Sequence, residues 1–174
     1  MRVRLFLASF LVLSMGSHGS GPPAPGGAEV GVDAVLQDIA ARGSKAVLRD
    51  AWSDQSRFSA ICKGIESGSA RWLRVAVLLR PASDAGASLS LDLSVARALL
   101  TAPARVLALS TQGFPLSTIC SPGFIEPGPG VERRHFERAV SALRRPVSED
   151  LEVSRVECLG FVQARLAVLG KGSP

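Results

Sequence analysis

Apolar residues recur in this chain at helical spacing in short bursts, and each burst is cut by a glycine, a serine or a proline. Val32, Val35, Leu36 and Ile39 follow i, i+3, i+4, i+7, which places four apolar side chains on one face of a helix. Gly43 is placed to stop that helix, and Ser44 to cap a second one carrying Val47, Leu48, Ala51 and Trp52. Ser53 or Asp54 then opens a third with Phe58, Ile61, Cys62 and Ile65, which Gly68 ends. Ser69 opens a fourth that is apolar almost all round, through Arg80 to Pro81, as expected of the central helix of a bundle. A chain patterned in this way is confined to short helices joined by tight turns.

The second half continues the pattern less regularly. Ser88-Leu-Ser-Leu-Asp-Leu-Ser-Val95 alternates like a strand, but Leu, Ser and Ala are not strand-favouring residues. Leu89, Leu93, Ala96 and Leu100 also share a helical face, so helix is the reading there. Pro103 suits the first turn of a helix over Ala104–Leu109. Residues 111–130 hold four prolines and read as irregular. A helix resumes at Val131 with Phe136, Val140 and Leu143 inward and stops at Pro146. The last begins near Ser148, with Glu149, Asp150 and Glu152 suited to its positive end, and buries Leu159, Val162, Leu166 and Leu169 before Gly170. The expected fold is all-α, six to eight short helices as stacked helical hairpins or an irregular bundle. The competing fold is α/β, with strands at 73–79 and 105–109. With 47% hydrophobic and 20% charged residues, the 174-residue chain carries enough apolar matter for one buried core.

The N-terminus carries an address. Arg2 and Arg4 precede an apolar run from Leu5 to Met15, followed by the small residues Gly16, Ser17 and Gly19. That is the three-part layout of a secretory signal peptide over residues 1–19, with Ser17 and Gly19 set for a cut before Ser20. The run is too short for a permanent membrane span, which takes about 20 residues, and no later window supplies one. Residues 20–31, with three prolines and four glycines, read as a flexible leader; residues 32–170 form a single helical domain, and 171–174 a tail. The expected location is therefore outside the cytosol, periplasmic or secreted, with no membrane anchor after cleavage. The net charge of +5 falls to about +3 once Arg2 and Arg4 leave, and no basic stripe interleaves with aromatics. Nucleic acid is not an expected partner.

Export alters the reading of the three cysteines, since an oxidising compartment favours a disulfide. Cys62 lies on an apolar helix face, where a small buried thiol is ordinary. Cys120 opens a Pro/Gly-rich loop and Cys158 sits in the last helix. A Cys120–Cys158 bridge is the favoured pairing, worth roughly 3.5–4 kcal/mol in the chain-entropy description, and a pair involving Cys62 is the alternative. Between prolines in the loop, Phe124 and Ile125 are either a recognition tip or a plug for the core beneath, the plug being favoured. Trp52 and Trp72 similarly offer a groove or, in preference, core packing.

Catalytic signatures are sparse. If His18 leaves with the signal peptide, His135 is the one imidazole through which Ser–His or Cys–His chemistry would pass. Arg133, Arg134, Glu137 and Arg138 surround it in sequence, which reads as a solvated surface histidine. Asp84 and Asp92 are candidates for paired carboxylates, and neither a zinc site nor any cofactor is expected.

The order of signal peptide, helical hairpins, Trp72-Leu-Arg-Val-Ala, Arg80-Pro-Ala-Ser-Asp-Ala-Gly86, Ala104-Arg-Val-Leu107, Ile119-Cys and Phe124-Ile-Glu-Pro127 resembles a group of small exported helical proteins of Gram-negative bacteria with no assigned activity. In size, export signal, helicity and disulfide the chain is also similar to periplasmic immunity proteins that block cell-wall amidase effectors. The resemblance implies a non-enzymatic protein that acts by binding a protein partner, and it carries over no inhibitory residue. A small cell-envelope hydrolase and a structural accessory of an envelope complex are the alternatives.

Overall fold

A computed structural model of the chain describes residues 30–124, 126–128 and 130–171. Residues 1–29, which hold the segment read as a signal peptide and nearly all of the leader, lie outside that range, as do Ile125, Pro129 and residues 172–174. The described residues form nine α-helices and two short 3-10 turns, with no strand. The helices are α1 (Val32–Arg42), α2 (Ser44–Ser53), α3 (Gln55–Glu66), α4 (Ala70–Leu79), α5 (Ala85–Ala98), α6 (Pro103–Leu107), α7 (Leu116–Cys120), α8 (Val131–Leu143) and α9 (Glu149–Lys171). The fold is all-α, and the stretches 73–79 and 105–109 proposed as strands are helix or 3-10 turn.

Local chemistry explains where the helices start. Backbone N–H groups of Ser56 and Arg57 donate to the Asp54 carboxylate at 3.1 Å, so Asp54 rather than Ser53 caps α3. Trp72 N–H donates to Ser69 Oγ, and Ala87 N–H to Asp84 Oδ1 at 3.0 Å. Each cap satisfies donors that a helix start leaves unpaired. Ser44 is no cap: it is the first residue of α2, and Gly43, at φ 81°, both ends α1 and precedes α2. A left-handed φ costs glycine little, which is how one residue turns the chain between two helices.

One expectation about an individual helix fails, and another is met by two helices. Within the stretch read as irregular, Leu116-Ser-Thr-Ile-Cys120 makes the one-turn helix α7, entered from Pro115, and buries Ile119 and Cys120. α4 is central, packed by α1, α2, α3 and α5, and α5 is central beside it. α5 packs on α3 along one flank and on α7 along another, with α4 and α6 also against it. Its serines explain why an alternating sequence is helical. Ser90 Oγ donates to Gly86 O and Ser94 Oγ to Ser90 O at 2.8 Å, so each hydroxyl is satisfied one turn back within the helix.

The arrangement is an irregular bundle. α1 to α4 pack among themselves and onto α5 on one side, while α7, α8 and α9 assemble on the other. Phe114, Phe136, Ile61, Leu91 and Leu107 are among the fully buried core side chains. Cys120 and Cys158 stand at disulfide distance, Cα to Cα 5.3 Å, and so tie α7 to α9; Cys62 keeps a free thiol, partly buried. None of the described helices is long and apolar enough to cross a membrane.

Candidate functional site

The loop between α7 and α8, the ends of α3 and α5 and one face of α8 line a cleft of about 420 Å³. α8 forms one wall with Val131, Arg134, His135 and Arg138, spaced i, i+3, i+4, i+7 and therefore on one face. The opposite wall carries Arg97 at the end of α5 with Leu100 and Thr101 just beyond it, and Glu66 at the end of α3. Phe124 comes in from the loop.

Charge is unevenly placed in this cleft. Arg97 Nη1 donates to Glu66 Oε1 at 2.7 Å, so those two largely offset each other. On the outer flank of α8, Arg133 donates to Leu169 O at 2.8 Å and Glu132 pairs with Arg165. Those groups serve the α8–α9 contact. Arg134 and Arg138 do not: among the described residues neither has a carboxylate within 4 Å. The α8 wall is thus a pair of guanidinium groups one helical turn apart with no internal counter-charge.

His135 lies between them and overturns the expectation of a solvated surface histidine. It is only 7% exposed. Its ring meets Phe124 edge to face at a centroid distance of 5.3 Å and Phe136 likewise at 5.3 Å. Burial, and after it the nearby Arg97 and Arg138 charges, push its pKa down from 6.5 to about 4, so it is neutral at neutral pH. The charged neighbours in sequence misled because residues 133 and 137 lie on other faces of the helix, while the aromatic cover arrives from a loop. The imidazole makes no hydrogen bond to any described residue, but among those residues no buried side-chain nitrogen or oxygen is left without a partner, so its ring nitrogens reach the open cleft. What the site offers chemically is three guanidinium donors, a neutral imidazole and an apolar lip of Leu100, Phe124 and Val131.

Other candidates are scattered. Phe124 packs against the core and lines the cleft at once. Ile125 lies outside the described residues. Trp52 is 37% exposed, contrary to the preference for core, because it ends α2 and rests only edge-on against Phe58 at 4.9 Å and over Gly86. Trp72 is partly buried against Gly64 and borders a separate depression with Val30, Val32 and Lys63. The two tryptophans share no groove. Asp84 caps α5, and Asp92 accepts from Arg80 Nε at 2.7 Å, so the structure employs both carboxylates locally rather than across a cleft. A further apolar groove lies between α4 and α6, flanked by Arg74 and Arg105, the latter held by Gly68 O. The cleft residues that sequence reading missed, Arg97, Arg134 and Arg138, carried one signal: the i, i+4 pair of arginines beside His135.

No family model, curated protein or solved structure matches the chain.

Proposed function

We propose that this chain is an exported helical protein that acts by binding another protein, and that the α5–α8 cleft is where the partner docks. The observation that carries the docking site is the conjunction at one wall of two exposed arginines without a carboxylate and a largely buried imidazole whose nitrogens open to the cleft. Both guanidinium groups are exposed, and with no counter-charge among the described residues they are free to pair with anionic groups of a partner. The apolar lip beside them adds the mixed character of a protein-recognition surface. Export is supported by the Arg2-Arg4, apolar, small-residue order at the N-terminus and by the Cys120–Cys158 pair, which is at home in an oxidising compartment.

The test places a photo-crosslinking amino acid at Thr101 or Val131, within the cleft, and at Arg49, which is 74% exposed on α2. The full chain is produced in an exporting Gram-negative cell. A protein adduct from both cleft positions and not from position 49 is the expected result, on a chain whose N-terminus begins near Ser20. The same adducts from all three positions, or none from the cleft, would refute docking there. An intact N-terminus on cytosolic protein would refute export.

A further inference from the structure

We infer that the group entering the α5–α8 cleft is a pair of carboxylates about one helical turn apart, presented by an acidic segment of the partner protein. The inference rests on the docking proposed above and adds its chemistry. Arg97 is already offset by Glu66, so the uncompensated charge is that of Arg134 and Arg138, and two carboxylates balance it. At 1.5 Å per residue the two arginines rise about 6 Å apart along α8. Glutamates or aspartates at i and i+4 of a helix, or i and i+2 of a strand, repeat at nearly that distance. Guanidinium groups meet carboxylates through two parallel N–H···O bonds, so each arginine takes one.

His135 selects for the same chemistry. A neutral imidazole keeps one N–H to donate into the open cleft, and a carboxylate oxygen seated between the two arginines is an acceptor for it in place of solvent. Leu100, Phe124 and Val131 at the lip favour apolar residues flanking the acids. They also lower the local dielectric, which strengthens the ion pairs relative to those on an open surface. A bare inorganic anion satisfies the arginines but gains nothing from that lip.

The full chain is titrated at low salt with a blocked, fluorescently labelled helical peptide holding two glutamates four residues apart between leucines. A matched peptide with two glutamines and inorganic phosphate are the comparison arms. Anisotropy reports binding, and the His135 ring resonance, identified by its loss in His135→Gln, reports the site. The glutamate peptide is expected to bind at least tenfold tighter than the glutamine peptide and to shift the His135 signal. Arg134→Gln and Arg138→Gln should each weaken it severalfold, while Arg49→Gln leaves it unchanged.

Equal binding of the two peptides, no binding of either, or full affinity in both cleft variants would overturn the inference. Displacement of the peptide by an equal concentration of phosphate would also overturn it, in favour of a small-oxyanion site. The two proposals fail separately. Cleft adducts that persist in the Arg134→Gln, Arg138→Gln double variant sink the carboxylate chemistry and leave docking standing. Glutamate-specific binding without any cleft adduct does the reverse.

Discussion

The burial of His135 makes a quantitative statement about stability against pH. In the unfolded chain its imidazole titrates near 6.5, and in the fold near 4. A base whose folded pKa is depressed binds its proton more readily when unfolded. Stability is therefore complete above pH 6.5 and falls as the pH drops from there towards 4, where the loss levels off. With about 1.4 kcal/mol per pKa unit, the loss is about 2 kcal/mol at pH 5 and about 3 kcal/mol at its limit. This window is separate from that of the carboxylates. Asp38, held by Arg42 and Arg57, is depressed to about 2, and Asp50, Asp54 and Glu152 are lowered by their own hydrogen bonds, so their contribution is lost at lower pH.

The assay is urea unfolding of wild type and His135→Gln at pH 7.5, 6, 5 and 4.5. Wild type should lose stability steadily from 6.5 downward, and the variant should lack about one proton's worth of that slope. The comparison is between slopes, because removing a ring packed on Phe124 and Phe136 destabilises the variant at every pH. Parallel pH curves for the two proteins would refute the burial of the imidazole, and with it the geometry of the cleft wall.

The disulfide closes a loop of 38 residues between Cys120 and Cys158, which the chain-entropy relation values at roughly 4 kcal/mol. Reduction, or the double change to serine, should lower the melting temperature by roughly 10 °C; an unchanged melting curve, or mass mapping that finds all three thiols free, would contradict the pairing. Gly64→Ala in α3 would bring a Cβ to 2.4 Å from the Trp72 ring, inside any real contact. The helix gains intrinsic propensity of about 1 kcal/mol but the displaced indole costs more, so a net loss of about 1–2 kcal/mol is expected in thermal or urea unfolding. A stabilised variant would show that the Trp72 ring does not lie over Gly64.

What the sequence made legible follows from the range over which each feature is determined. The starts of α3, α4 and α9 depend on neighbours within four residues, and Asp54, Ser69 and the acidic run from Glu149 announce them. α7 was hidden because five residues between Pro115 and Ser121 are too few to show a period, and their helical state is secured by packing of Ile119 and Cys120 on α5 and α9. α5 was hard to read for the opposite reason. It is packed on several flanks, so its buried positions, from Ala87 through Leu91 and Ser94 to Ala98, do not form a single stripe. The cleft was the least legible of all. Its residues come from the ends of α3 and α5, from a loop and from α8, and only the last contributes a local pattern.

The placement of the disulfide connects the fold to the cleft. Phe124 stands four residues beyond Cys120, and Cys158 lies in the middle of α9, the helix that packs along α8. The bridge therefore joins the loop that supplies the aromatic cover to the helix that supports the cationic wall. Without it, the loop is held over His135 by side-chain contacts and by whatever order its prolines and glycines impose. Glu126 in that loop has a φ of 42°, a conformation that non-glycine residues adopt sparingly and that surrounding structure must maintain. Loss of the cover would return His135 towards solvent and its pKa towards 6.5, because burial is the largest cause of its depression. Oxidation thus contributes twice, once by restricting the unfolded chain and once by holding the aromatic cover over His135.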